Sequence, residues 1–147
     1  MRRSIPKLRE SDYQRLARFR QALRGFLRFS EDAARRAGIS PAQYQLLLFV
    51  RSLGAHPPAV GDLANRLRVL HQSAVGLVDR CARAGLVRRR RDAVDRRRVR
   101  VALTAAGRRL IERLVLEHYR EVGELRRAIP RADVLRIPSS TATGRRV

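Results

Sequence analysis

The stretch from Leu63 to Gly107 constrains this chain more than any other. A short Leu/Ala-patterned helix is followed by a tight turn and a second helix. Then comes a ribbon, LVRRRRDAVDRRRVRVALTAAG, in which apolar ends enclose a dense run of arginine. Residues 88–100 hold eight arginines and two aspartates. An alternating strand turns every second side chain outward, so such a ribbon cannot bury more than half of these groups.

The punctuation on either side is helical. Ser11 and Gln14 have capping-box spacing, and apolar residues recur at Tyr13, Leu16, Phe19, Leu23, Phe26 and Leu27. That three-and-four period predicts a helix from Ser11 to about residue 37, ended by Gly38. Ser40 as N-cap, Pro41 at the first helical position and Gln43 completing a second box open the next helix, roughly Pro41–Leu53. It stops at Gly54, and His56-Pro57-Pro58 is a connector. Val60, Leu63, Ala64 and Leu67 write a third, short helix. After a turn near Arg68–Leu70, a fourth runs from about His71 to Ala84 and closes on Gly85. Leu86-Val87 starts a strand; Val99, Val101 and Leu103 alternate on the returning one, with Asp92-Ala93-Val94-Asp95 as the turn. Thr104 caps a long amphipathic helix carrying Leu110, Ile111, Leu114, Val115, Val122 and Leu125, which Pro130 ends or kinks. Residues 1–10 and the final SSTATGRRV have the composition of tails, and no internal repeat is present. The expected fold class is mainly α with a small antiparallel β wing, a winged helix-turn-helix over residues 41–103. Its second helix would span about 71–84 and its wing about 86–103, within a single domain of residues 1–147.

At 147 residues the chain is one domain, and folding one of this size hides ~68–70% of the unfolded surface. It carries 34 basic residues against 13 acidic ones, a formal net charge of +21. All but one of the basic residues are arginine. Codon bias explains the preference for arginine over lysine but not the shortage of acids. A domain so charged attracts polyanions. One cysteine permits no internal disulfide and suits a reducing interior. Apolar runs such as Leu46–Val50 are far too short to span a bilayer, and MRRSIPKLRE has no apolar stretch behind its basic start. The expectation is a soluble, cytoplasmic protein that does not engage membranes.

On a wheel at ~100° per residue, Ala74, Leu77, Val78 and Cys81 share one face of the fourth helix, which must be buried. The far side holds Gln72, Gly76, Asp79 and Arg83, flanked by Ser73 and Arg80. Glycine inside a helix costs ~1 kcal/mol relative to alanine. Gly76 therefore reads either as close approach to a groove floor or phosphate, or as simple tolerance. In helix-turn-helix docking the first residues of the second helix meet base edges, here His71, Gln72 and Ser73. A glutamine amide matches adenine N6 and N7, serine pairs with several bases, and Val75 can touch a thymine methyl. The helix N-terminus itself attracts phosphate. Projecting guanidinium groups suit phosphates and the negative potential of a narrow minor groove. Any one arginine reads as a solvated surface charge; the cluster does not. Asp95, two residues before Arg97, is close enough to hold it at the turn.

At this point LANRLRV…SAVGLVDRCARAGLVRRRRDAVDRRRVRVALTAAG resembles the MarR family of bacterial transcriptional regulators. The most specific residues are Asp95-Arg96-Arg97, Leu103-Thr104 and Gly107, with Gly85–Val87 opening the wing; the likeness runs from about residue 12 to 128. The resemblance implies a dimer of winged helix-turn-helix units, with residues 11–37 and 104–137 as the helical dimerisation region. It implies a recognition helix in the major groove and a wing-tip arginine, by position Arg97, in the minor groove, oriented by Asp95. Many relatives also bind small aromatic or phenolic effectors in a crevice between the DNA-binding and helical parts. The DNA-contacting set expected here is His71, Gln72, Ser73, Gly76, Arg80, Arg96, Arg97 and Arg98, with Asp95 positioning the wing; effector-binding residues are not identified.

Three departures matter. Arg68 stands where a turn glycine is common, and Leu70 where similar sequences often have a serine cap. At the C-terminal end, Pro130 and Pro138 bracket only RADVLRI where relatives finish with a full interleaving helix; either the first helix and the end of the long one (Val122, Leu125, Ile129) compensate for a reduced dimer interface, or dimerisation is weak. Cys81 lies on the core face and reads as packing rather than as an oxidant sensor. His56, His71 and His118 are widely spaced without ligand partners, so no metal site is expected. Tyr44 and Tyr119 read as core aromatics, with an effector crevice as the alternative. There is no Gly-rich phosphate loop, no Ser/His/Asp logic and no paired carboxylates at helical spacing, which argues against an enzyme or a cofactor. The function expected is a sequence-specific regulator, most simply a repressor, binding double-stranded DNA as a homodimer at an inverted repeat. The competing reading is a basic protein that coats DNA or RNA without sequence preference or effector response.

Overall fold

A computed structural model describes residues 8–128. Its elements are α1 (Glu10–Arg36), α2 (Pro41–Ser52), α3 (Val60–Leu67), α4 (His71–Arg83), β1 (Val87–Arg91), β2 (Val99–Leu103) and α5 (Ala105–Ala128). This is the winged helix-turn-helix order expected from the sequence. Pro130, Pro138 and the expected helical residues 129–137 lie outside the described residues.

Local chemistry explains most boundaries. Ser40 and Gln43 form the reciprocal capping box of α2, with Ser40 Oγ accepting from the Gln43 N–H at 3.2 Å and Gln43 Oε1 accepting from the Ser40 N–H at 2.9 Å. Gly38, Gly54 and Gly85 follow α1, α2 and α4 with φ of 78°, 59° and 70°, backbone that glycine adopts without steric cost. Thr104 Oγ1 accepts from the Gly107 N–H at 3.0 Å, capping α5 as expected, and donates to the Gly85 carbonyl at 2.6 Å. The start of α1 differs from expectation. Ser11 is inside the helix, and the Asp12 carboxylate accepts from the Arg9 N–H at 2.8 Å. A carboxylate is a stronger acceptor for an orphan helix donor than a hydroxyl, so the helix begins a residue early.

Residues 30–119 make one unit of the fold. Its core gathers Leu46 and Leu47 of α2, Leu63 of α3, Val78 and Cys81 of α4, Val101 of β2, and Ile111 and Leu114 of α5, all essentially without exposure. β1 and β2 pair antiparallel from Val87↔Leu103 to Arg91↔Val99. On the other edge of β2, the Val101 N–H donates to the Pro58 carbonyl at 2.9 Å and Arg100 bridges Ala59. The proline connector thus covers an edge that would otherwise be open. Tyr44 is buried and stacks on His118 with ring centroids 4.7 Å apart; burial raises its phenol pKa. His118 Nδ1 lies 2.6 Å from the Leu114 carbonyl and Nε2 lies 2.8 Å from Ser30 Oγ. Because a carbonyl only accepts, Nδ1 carries the proton and Nε2 accepts from the hydroxyl. Tyr44 is therefore a core aromatic, whereas Tyr119 is not, being 71% exposed.

A second unit contains residues 8–29 and 120–128. Here α1 leaves Tyr13, Leu16, Phe19, Leu23 and Leu27 exposed, and α5 leaves Val122 exposed. A recurrent apolar stripe left open to solvent is the signature of an association surface.

Candidate nucleic-acid interface

The helix-turn-helix is closed by an unusual residue. Arg68 adopts φ 54° and ψ 46°, the left-handed region, and its N–H returns to the end of α3. The Val69 N–H donates to the Ala64 carbonyl at 3.0 Å. Among non-glycine described residues Arg68 is alone in having positive φ, so the turn geometry survives the missing glycine at some steric cost. Leu70 is the N-cap of α4 and offers no side-chain hydrogen bond. The first N–H groups of α4 are therefore without a side-chain cap, which leaves them available to an anion or a base edge.

Ala74, Leu77, Val78 and Cys81 of α4 are buried, the face the sequence assigns to the core. Burial pushes the Cys81 thiol up to about 11, against weaker opposing effects of the Gln43 amide and Arg80. The thiol is thus protonated and inert near neutrality. His71, Gln72, Ser73 and Arg80 are exposed on the remaining surface, with Gly76 half-buried between them. A Cβ at Gly76 would meet nothing closer than the Arg80 Nη1 at 3.6 Å. Nothing within the protein requires glycine there.

The wing tip is organised by two carboxylates. Asp92 Oδ1 accepts from the N–H groups of Val94 at 2.8 Å and Asp95 at 3.1 Å, and Oδ2 accepts from Arg100 Nε at 2.5 Å. These bonds hold its carboxyl down at about 2, the two backbone donors having the largest effect and Arg100 adding to them. Arg100 also donates through Nη1 to the Pro57 carbonyl at 3.1 Å, tying the loop to the connector beneath. Asp95 Oδ1 accepts from the backbone N–H of Arg97 at 3.0 Å. It shapes the backbone at Arg97 rather than gripping its guanidinium. The side chains of Arg96, Arg97 and Arg98 are exposed and have no carboxylate partner among the described residues.

Packing joins helix and wing. Arg89 of β1 pairs with Asp79 of α4 at 2.7 Å. Below this bridge a cleft of about 400 Å³ is lined by His71 and Val75 of α4, Arg97 and Arg98 of the tip, and Arg89 and Val99 of the strands. His71 is thereby brought together with Arg97 and Arg98, while Gln72, Ser73, Gly76, Arg80 and Arg96 do not line that cleft. Sequence reasoning missed Asp79–Arg89 and the Asp92–Arg100 clasp. Asp79 was legible only as a solvent-face residue. The clasp had a signal in the opposite charges flanking the expected turn, Asp92 and Arg100. Among the described residues no group of His, Cys, Asp and Glu could hold a metal ion, and no helix is long and apolar enough to cross a membrane.

Comparison with known proteins agrees with this geometry. The sequence profile of the MarR family matches residues 37–98. The HTH-type transcriptional repressor YetL of Bacillus subtilis (strain 168) is 28% identical over 85 residues, which cover 58% of this chain and 51% of that protein. The match therefore spans about half the length of that curated relative. Among solved structures, NadR in complex with 4-hydroxyphenylacetate superposes with a TM-score of 0.68 at 28% identity, covering 78% of this chain and 80% of NadR. A variant of S. aureus MepR bound to an oligodeoxyribonucleotide superposes with a TM-score of 0.66 at 20% identity, covering 79% and 84% respectively, a likeness of fold.

Proposed function

We propose that the chain is a member of the MarR family, whose sequence profile matches residues 37–98, and that it is a sequence-specific DNA-binding transcriptional regulator, acting as a repressor. The observation that carries this reading is the shared cleft of His71, Arg97 and Arg98. It brings the start of α4 and two arginines of the wing tip to one cleft. In this reading Gln72 and Ser73 meet base edges in the major groove, Gly76 and Arg80 follow the groove floor and backbone, and Arg96–Arg98 reach the adjacent minor groove. Asp95 and Asp92 hold the tip in shape before DNA arrives, which lowers the ordering cost of binding.

The functional unit is a homodimer. Its support is the exposed stripe of Tyr13, Leu16, Phe19, Leu23 and Leu27 on α1, which a second copy would cover. Two recognition helices related by a two-fold axis select an inverted repeat with half-sites ~34–36 Å apart. In this reading a small aromatic effector would occupy the apolar groove of about 430 Å³ between α2 and α5. Leu48, Ile111, Val115 and Leu116 line it together with Arg51 and Glu112; this volume lies within the range of small-molecule sites.

The deciding experiment is selection of genomic fragments bound at moderate salt, followed by footprinting. A palindromic, saturable footprint that survives excess unrelated DNA is expected. Equal affinity for every sequence, with only a salt-dependent response, would instead identify a protein that coats nucleic acid by charge.

A further inference from the structure

The side of the wing turned away from α4 carries a second basic feature. Strand register places Arg88 opposite Ala102 and Arg90 opposite Arg100, on the face of β1 that Arg89 does not share. Since Arg89 is bound to Asp79 of α4, Arg88 and Arg90 point to the other side of the sheet. There they meet Arg51 near the end of α2 and Arg108 near the start of α5. The four guanidinium-bearing residues surround a pocket of about 180 Å³, with Pro57 and Ala102 in its wall.

The distribution of acids makes this pocket unlike the rest of the wing. Arg89 is neutralised by Asp79 and Arg100 by Asp92. Arg88, Arg90 and Arg108 have no carboxylate partner among the described residues, and Arg51 has only the long contact of 3.7 Å to Glu112 at the edge. Four like charges around one concavity repel one another, and an anion between them removes that repulsion. Guanidinium forks match phosphate oxygens in pairs, which makes arginine the side chain suited to holding a phosphoryl group. The volume then limits the ligand. A site of 180 Å³ is below the ~300–1,000 Å³ of drug-sized ligand pockets and is adequate for one phosphate group, the rest of its carrier lying outside.

We propose that the pocket between Arg51, Arg88, Arg90 and Arg108 is a binding site for a single phosphate group. That group has two sources with the same chemistry, a backbone phosphate of DNA flanking the wing or a free phosphorylated small molecule. The first source rests on the regulator reading above; the second does not.

Inorganic phosphate titrated into the full-length protein at constant chloride, followed by the arginine Hε NMR signals, tests the site itself. Saturable shifts are expected in the wild type and disappear in the double variant Arg88→Gln/Arg90→Gln. In parallel, DNA affinity is measured against sodium chloride. If the phosphate is that of DNA, the double variant shows a slope shallower by about 0.9 for each DNA phosphate it no longer neutralises, with discrimination between sites intact. The pair Arg18→Gln/Arg20→Gln on α1, which removes equal charge, leaves the slope unchanged. Phosphate shifts with an unaltered slope assign the pocket to a free phosphorylated ligand. A shallower slope, with or without phosphate shifts, assigns it to the DNA backbone. Thermal melts confirm that the double variant is folded. If neither the phosphate response nor the slope distinguishes the double variant from wild type, the proposal is wrong. Absence of site-specific binding in the wild type defeats the regulator reading instead, and leaves the phosphate titration to judge the pocket.

Discussion

The same substitution at two helical glycines should have opposite effects. At Gly76 a Cβ has open space, the nearest atom being the mobile Arg80 Nη1 at 3.6 Å. Gly76→Ala should therefore gain the propensity difference of ~0.8–1.0 kcal/mol. At Gly107 a Cβ would overlap the Leu86 carbonyl oxygen, with the Leu86 carbonyl carbon at 3.0 Å and Cα at 3.3 Å. All three are backbone atoms, so no rotamer change relieves the clash. Leu86 is also pinned: its N–H donates to the Cys81 carbonyl at 2.9 Å, and its own carbonyl accepts from the Thr104 N–H at 3.0 Å. Overpacking costs ~1–3 kcal/mol where side chains can adjust, and occasionally more. Here the first turn of α5 must move away from the base of the wing, which puts the cost at the upper end. Propensity offsets less than ~1 kcal/mol of it. A net loss of about 2 kcal/mol or more follows, lowering Tm by about 8–16 °C for a unit of this size. Urea and thermal denaturation followed by circular dichroism on the three proteins measures both signs. A Gly107→Ala protein as stable as wild type would refute the packing argument. So would a Gly76→Ala protein that melts earlier than wild type.

Under the proposed function the Gly76→Ala protein should also bind DNA more weakly despite its added stability; unchanged affinity in a footprint titration would mean that no groove surface approaches this position. Arg97→Ala should weaken DNA binding and flatten the salt slope by about 0.9 while stability changes by no more than ~0.5 kcal/mol, with Asp95→Ala a milder version. A collapse in Tm with an unaltered footprint would make Arg97 structural. Because the Asp92 carboxyl is held at about 2, below the unfolded value of ~3.9, its contribution to wing order is complete above that value. It is lost as pH falls through about 2. The Val94 and Asp95 amide signals should report a midpoint near 2, and a midpoint near 3.9 would show that the clasp is not formed. Arg68→Gly relieves a left-handed residue at ~1–2 kcal/mol but adds ~0.5–1 kcal/mol of unfolded-state entropy. It should be neutral to stabilising by ~1 kcal/mol, and a clear loss in denaturation would show that the Arg68 side chain makes stabilising interactions of its own. Cys81, buried with its thiol up to about 11, should react with a thiol reagent only as fast as the protein opens; rapid modification in native buffer would contradict its packing role.

Much of the architecture was legible because it is written in short-range chemistry. The 3.6-residue periods, the Ser40–Gln43 box, and the glycines at positions 38, 54 and 85 act within one or two turns of the chain. The buried face of α4 followed from spacing alone. So did the outward charge of the ribbon between Val87 and Leu103. The start of α1 was missed because Asp12 and Ser11 compete for adjacent orphan donors, and periodicity cannot rank a carboxylate against a hydroxyl.

What the tertiary structure decided is which neighbours each outward residue meets. Alternation states that Arg88, Arg89, Arg90 and Arg91 point to two sides in turn, but not which side faces α4. The register Val87↔Leu103 and the packing of β1 on α4 make that choice, giving Arg89 to Asp79 and leaving Arg88 and Arg90 to the pocket with Arg51 and Arg108. Asp92, Arg100 and Pro57 likewise meet only after the connector closes on β2. The need for glycine at 107 arises only when α5 starts against the Leu86 backbone. Sequence pattern is periodic and local, whereas these meetings depend on how distant segments are brought side by side, which no single-segment periodicity encodes.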